Sequence, residues 1–438
     1  MKNISIFGTH SDSGKSTITW LIGRLLQEKG FSVAPFKAQN VSNNAKVCED
    51  GSEISIAQYF QAEVLGVEPS YHLNPILLKS GRESSASLIV EGQVVKDKDV
   101  REYYRDLDVL KPSVQRCFEY VESRYDCVIA EGAGSPVELN LMDKDLSNIF
   151  IATKYKTKII LVADIEKGGV FASIWGVYNL LPKELRLNVI GVIVNKFRGD
   201  MSLFDEGVRI IKEEFKIPVL GVLPFEPFNL GFEDSASLTN FVQDCSRAKR
   251  KIAVIHYPYM SNYNDFEPLI ADEDVCLEFV SSNISLEKFD LVILPGSKLV
   301  IQDLVWLKKS GLFEQLKKRK KEILGICGGY QMMFEKIVDN ECIEVQKPTY
   351  VEALGFIDDE IVFQKEKILR KVGELFEIHH GISEKYPLEY KKEHIRGTFY
   401  HGLFHDEKFK KHREKTIDSF VAKMRKRVDM KKILQSVC

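Results

Sequence analysis

Cys327 stands in Ile323-Leu324-Gly325-Ile326-Cys327-Gly328-Gly329-Tyr330-Gln331. A short apolar run ends in Gly-x-Cys-x-Gly and passes into a helix-like segment, the cysteine form of a nucleophile elbow. The glycines permit a tight turn and close strand–helix approach. Such a turn lifts the sulfur out of a sheet and sets it over a helix N-terminus, where partial positive charge favours thiolate. The Gly328 N–H then points where an oxyanion would develop. A second donor is expected from Leu294-Pro295-Gly296-Ser297-Lys298, at Gly296 or Ser297. The chemistry implied is attack of a thiolate on an acyl carbon.

A thiol nucleophile needs a base. His401 follows a β-like run and precedes Gly402, as a strand-end base should; His379 and His380 are its rivals. Glutaminases of this type often orient the base with an acid two residues on. Here that position is Leu403. Either the Cys327–His401 pair works without a third member, or an acid from elsewhere in the chain serves.

A second chemical motif opens the chain. Gly8-Thr9-His10-Ser11-Asp12-Ser13-Gly14-Lys15-Ser16-Thr17 lies between a predicted strand and a predicted helix, the context of a phosphate loop. Loop N–H groups, from Thr9 to Gly14 and on to Thr17, can wrap phosphate oxygens. Lys15 would add charge on the outer phosphates, and the Ser16 hydroxyl would ligate Mg²⁺. Five residues separate Gly8 from Gly14, where the common pattern has four. This longer form resembles the dethiobiotin synthetase branch of phosphate-loop proteins, which phosphorylate carboxylates. Glu131 closes a strand just before glycines, at a sheet edge where open α/β folds bind ligands, and is the candidate second Mg²⁺ contact. Lys37 could neutralise charge near the γ-phosphate, and Asn195 could read the adenine edge.

These groups need strands to present them. Ile4–Phe7, Val128–Ala130, Ile159–Ala163 and Val189–Val194 read as buried strands. Ser16–Glu28 and Ser113–Arg124 have helical spacing between them. The alternation predicts a parallel α/β sheet with helices on both faces. After the proline-bearing Leu223–Phe228 and the basic stretch 244–251, a fresh α/β series starts with Ile252–Ile255, Leu291–Leu294 and Ile323–Ile326. The predicted units are 1–235, an ATP-dependent synthetase, and 250–438, a glutaminase. The last thirty or so residues are predicted to form a solvated helix on the second unit, with Ile417, Phe420, Val421 and Met424 facing inward.

The bulk composition sets limits. The 438 residues carry 61 Lys and Arg against 63 Asp and Glu, a net charge of −2, so no polyanion partner is indicated. No apolar run approaches the length of a membrane span. The eight cysteines form no CxxC pair, and free thiols in a reducing cytoplasm are expected. Small-molecule substrates follow; the oligomeric state does not.

Together these motifs resemble the cobyric acid synthase family, across nearly the whole chain. Further stretches carry the likeness: Ala34–Asn40, Asn74–Lys79, Glu131–Leu141, Ala163–Ala172, Asn195–Asp200, Asp303–Leu307 and His401–Phe404. The resemblance implies a phosphate-loop domain joined to a class I glutamine amidotransferase-like domain. Glutamine would be hydrolysed at Cys327 and His401, and ammonia passed on. ATP and Mg²⁺ would activate the b, d, e and g carboxylates of adenosylcobyrinic acid a,c-diamide. Leu403 fits this family. Ala353 and Phe376 depart from its usual residues, at loops and surfaces, and neither change removes a catalytic group. Asp143 and Asp145 would face either the corrinoid or solvent. The sister family, cobyrinic acid a,c-diamide synthase, shares both domains, but Asn195–Asp200 and Ala163–Ala172 favour the first reading. A phosphate-loop regulatory ATPase would leave the cysteine elbow unexplained.

Overall fold

The computed structural model describes residues 1–80, 85–99, 107–228, 230, 243 and 245–438; residues 231–242, at the predicted junction, lie outside the described residues. Two six-stranded sheets carry the candidate sites. The first contains β1 (Ile4–Gly8), β2 (Val33–Phe36), β3 (Cys127–Glu131), β4 (Lys158–Asp164), β5 (Val189–Phe197) and β6 (Val219–Pro224). Their order is β6-β5-β4-β1-β3-β2, and every pairing is parallel. β1 is buried along its length between β3 and β4, which is why it is apolar except at Ser5, whose hydroxyl pairs with Thr157 at 2.6 Å.

The second sheet contains β7 (Arg250–Ile255), β8 (Val275–Val280), β9 (Leu291–Leu294), β10 (Glu322–Ile326), β11 (Glu389–Lys392) and β12 (Ile395–Thr398). Its order is β8-β7-β9-β10-β12-β11, parallel except at β11–β12. The α/β class of both halves agrees with the reading of the sequence. Two four-stranded sheets flank the large ones. One includes Gln39–Val41 and Ile76–Ser80, the other Ile357–Val372 and Leu375–Ile382.

The C-terminal tail does not go where its sequence suggested. Helices Glu407–Arg425 and Met430–Val437 pack on the first sheet, not the second. Phe420 lies 5.3 Å from the ring of Trp20, and Lys2 N–H donates to the Val437 carbonyl at 2.8 Å. Helical spacing shows that an apolar face must be covered, not which surface covers it.

The expectation of free thiols is also corrected. Cys245 and Cys276 form a disulfide, joining the segment before β7 to the edge strand β8. The pair is separated by 31 residues and matches no short spacing motif, so nothing local announced it. The other six cysteines are free. Among the described residues, no helix is long and apolar enough to cross a membrane.

Candidate active site

β10 ends directly in Cys327, whose backbone takes φ 48° and ψ −103°, a conformation that L-residues seldom adopt. Its N–H donates to the Thr398 carbonyl of β12 at 2.8 Å, and its carbonyl accepts from Gln331 N–H at 3.0 Å. The strain is therefore held from both sides. Gly329 is required here, because a Cβ on it would overlap the backbone of Leu294. A Cβ on Gly328 would lie 2.7 Å from Ser297 N, so the Ser297 amide borders the space before the sulfur. Gly296 approaches His401 closely instead: its Cβ would sit 2.9 Å from the imidazole Cε1.

The loop carrying Gly296 and Ser297 is fixed by buried groups. Ser297 Oγ donates to Asp303 at 2.5 Å, Tyr259 N–H donates to the same carboxylate at 3.0 Å, and Tyr257 OH donates to the Pro295 carbonyl at 2.6 Å. Burial pushes the Asp303 carboxyl up to about 7, although both hydrogen bonds pull it down.

His401 is fully buried and faces Cys327 across one cavity. Its Nδ1 lies 2.6 Å from Asp265 Oδ2, and Gly402 N–H donates to Asp265 Oδ1 at 2.9 Å. Asp265 belongs to a 3-10 turn, Tyr263–Phe266, after β7. It fills the place that Leu403 left open. Burial works against a charged imidazole, but Asp265 and the Cys327 sulfur outweigh it and push His401 up to about 10. The carboxylate fixes the proton on Nδ1, which turns Nε2 toward the sulfur.

The rival histidines are already engaged. His379 has Nδ1 2.8 Å from the Gly381 carbonyl and Nε2 3.2 Å from Glu377. His380 Nδ1 lies 3.0 Å from the Gln364 carbonyl, and burial drives its pKa down to about 4. Both line the cavity, but neither has the arrangement of His401.

The phosphate loop joins β1 to the helix Lys15–Gln27. Gly14 takes φ 97°, and a Cβ on it would overlap the Asn195 amide. Asn195 Nδ2 donates to the Ser13 carbonyl at 3.0 Å, which braces the loop. Lys15 Nζ donates to the His10 carbonyl at 3.1 Å. Thr9 Oγ1 and Ser13 Oγ are buried without hydrogen-bond partners among the described residues, as suits a cradle awaiting phosphate oxygens. Thr17 lies in the first turn of the helix that follows.

Glu131, at the end of β3, is buried and collects three donors. Ser16 Oγ and Lys37 Nζ reach Oε1 at 2.8 Å each, and Gln61 Nε2 reaches Oε2 at 2.5 Å. Ser16 and Glu131 thus meet where a phosphate-bound divalent cation would need two hard oxygen ligands. The predicted acids downstream divide. Asp145 caps the following helical turn, accepting from Ser147 and Asn148 N–H groups, while Asp143 is exposed.

Sequence reading missed Asp265, Asn262, Asp303 and Gln61. Asp265, Asn262 and Gln61 reach their sites from distant segments, whereas Asp303 lies six residues beyond Ser297. The only local signal was the absence of an acid at 403.

Known proteins can now be set beside this geometry. Residues 4–229 match the CobQ/CobB/MinD/ParA nucleotide-binding domain, and residues 251–409 match the CobB/CobQ-like glutamine amidotransferase domain. The cobyric acid synthase of Acinetobacter baylyi is 64% identical over 100% of this chain and 99% of its own. A probable cobyric acid synthase of Methanosphaera stadtmanae is 38% identical over 94% of this chain and 90% of its own. The cobyric acid synthase of Listeria monocytogenes is 39% identical over 88% of this chain and 78% of its own. With identity of this level running from end to end of a relative, the chain belongs to the cobyric acid synthase family.

Proposed function

We propose that this protein amidates the b, d, e and g carboxylates of adenosylcobyrinic acid a,c-diamide, using ATP and glutamine-derived ammonia, to give adenosylcobyrate. The observation that carries this reading is the buried Cys327–His401–Asp265 arrangement, in a chain that also presents a phosphate loop. His401 Nε2 takes the Cys327 proton, and the thiolate attacks the glutamine amide carbon. The Gly328 and Ser297 N–H groups, with the close-packed Gly296 shaping their loop, receive the oxyanion. The imidazolium returns its proton to the leaving nitrogen, and ammonia departs. Water, deprotonated by His401, then cleaves the thioester to give glutamate.

At the other site, Thr9, Gly14, Lys15, Ser16 and Thr17 cradle the phosphates of ATP. Ser16 and Glu131 hold Mg²⁺, which when bound neutralises phosphate charge. Lys37 sits between Glu131 and the acceptor side, where it steadies the carboxylate being activated. Asn195 holds the loop in shape. The protein works on small molecules, in the cytoplasm, with no nucleic-acid or membrane partner.

The test is incubation with ATP, Mg²⁺, glutamine and the a,c-diamide, followed by mass spectrometry. Four successive replacements of OH by NH₂ are expected. Two replacements on cobyrinic acid, with none on the diamide, would assign the protein to the sister activity.

A further inference from the structure

The cavity before Cys327 is walled by both halves of the chain. Cys327 and His401 line it from the glutaminase half, Asn43 and Lys79 from the nucleotide-binding half. Asn43 is fixed there through its neighbour. Asn44 Oδ1 accepts from Asn262 N–H at 2.6 Å, and the Asn262 side chain lies 3.0 Å from His401 Nε2. Lys79 is fixed through its strand partner. Ser87 stands opposite Lys79 in the hairpin and accepts at 3.3 Å from Nζ of Lys298, the residue after Ser297.

The wall they form carries a surplus of positive charge. Lys79, Lys298 and Lys367 all line the cavity. Lys79 and Lys367 share one carboxylate, Glu53, which Lys367 meets at 2.6 Å. One negative charge between two ammonium groups leaves room for a second anion. Burial, with Lys367 and Lys298 nearby, pulls the Lys79 ammonium down to about 7 against the attraction of Glu53. A carboxylate arriving beside Lys79 would favour its charged form.

The same wall carries an unanswered acceptor. Asn43 Oδ1 is buried without a hydrogen-bond partner among the described residues. Its rival as an acceptor, Glu344, already takes the Val300 and Ile301 N–H groups on its two oxygens. Ammonium groups beside a buried amide oxygen suit a ligand with a carboxylate and an ammonium on one carbon. Glutamine has that form. Two methylenes separate its amide carbon, which must reach the Cys327 sulfur, from the carbon that bears both charges.

We propose that the nucleotide-binding half completes the glutamine site: Lys79, with Lys298 and Lys367 beside it, binds the α-carboxylate, and Asn43 Oδ1 accepts from the α-ammonium. The glutaminase half holds the reacting amide, and the other half holds the amino-acid end. Glutamine affinity then depends on the docking of the two halves. This inference rests on Cys327 and His401 being the glutaminase pair.

The test measures ammonia release by the full-length protein from glutamine, from glutaramate, which lacks the α-ammonium, and from 4-aminobutanamide, which lacks the α-carboxylate. Lys79→Met should raise KM for glutamine about tenfold to a hundredfold, the worth of a hydrogen bond to a charged group, with kcat unchanged. Its kcat/KM should fall by the same factor for glutaramate and stay level for 4-aminobutanamide. Asn43→Ala should raise KM for glutamine about tenfold and show the reverse pattern on the two analogues. Asn43→Ala breaks no ion pair, so it tests the proposal even where Lys79→Met fails to fold. Ammonia-dependent amidation in the same preparations reports that each variant is folded. An unchanged KM for glutamine, or equal losses on both analogues, overturns the proposal. An unchanged KM with less amide formed per glutamate released would make this wall a passage for ammonia instead. Failure of the underlying reading looks different: Cys327→Ala would still release ammonia from glutamine.

Discussion

Asp265 Oδ2 lies 2.6 Å from His401 Nδ1 although 136 residues separate the two in the chain. The 3-10 turn after β7 brings the acid beneath the imidazole, and the Gly402 N–H holds its second oxygen. The proposed base of the glutaminase site therefore has a carboxylate at its Nδ1, supplied from outside the His-x-Glu position.

Asp265→Asn should lower kcat/KM for glutamine by about a hundredfold to ten-thousandfold, because the amide can present its N–H and impose the wrong imidazole tautomer. Its oxygen can still accept from Gly402, so the fold should persist. Steady-state glutamate release measures the loss, and ammonia-dependent amidation should continue. Unchanged glutamine hydrolysis would remove Asp265 from the mechanism.

The contrast between Asp265 and the elbow shows what the sequence made legible. The phosphate loop and Gly325–Gly329 are contiguous, and their strand, turn and helix are written in adjacent residues. Asp265 and Asn262 act through tertiary approach, which no local spacing encodes. Phe420 and Val421 announced a buried face but not its partner, since helical period is the same whichever sheet covers it. Cys245 and Cys276 gave no signal at all, because their pairing depends on where a segment before β7 runs beside the edge of a sheet.

The two halves are joined by a buried charge cluster. Glu53 is fully buried and pairs with Lys79 of its own half and with Lys367 of the other, the latter at 2.6 Å. Burial resists its charge, but Lys367 and Lys79 overcome it and hold the carboxyl at about 2. Lys79 is desolvated so fully that its own pKa falls to about 7 even beside Glu53, so Lys367 is the firmer partner at neutral pH. A carboxyl lowered from 4.5 stabilises the fold above about pH 4.5, and that contribution is lost as pH falls toward 2. Glu53→Gln should cost about 3–5 kcal/mol at pH 7, since it leaves buried ammonium unpaired. Urea unfolding at several pH values should show the gap between wild type and variant closing below pH 4.5.

Glu131→Gln should abolish ATP-dependent amidation while leaving glutamine hydrolysis measurable, because the altered site lies in the nucleotide-binding half. The amide oxygen is a poorer ligand for a hard divalent cation, and Lys37 loses its ion pair at 2.8 Å. Separate assays of ADP and glutamate release check both parts. Retention of full ATP-dependent synthesis would take Glu131 out of the metal site.

Phe420→Ala should destabilise the protein by about 3–5 kcal/mol, the usual loss for emptying a buried aromatic site. Phe420 packs against both Trp20 and Phe228 in the first core. Tryptophan fluorescence during denaturant unfolding should report it. A change within about 0.5 kcal/mol would place the tail elsewhere.

The most direct test of the account is Cys327→Ala, assayed on the a,c-diamide with ATP, Mg²⁺ and either glutamine or ammonium chloride as nitrogen source. The account predicts no amidated product with glutamine and successive amidations with ammonium chloride, read by mass spectrometry. Amidated product formed from glutamine by this variant would contradict the assignment of Cys327 as the nucleophile.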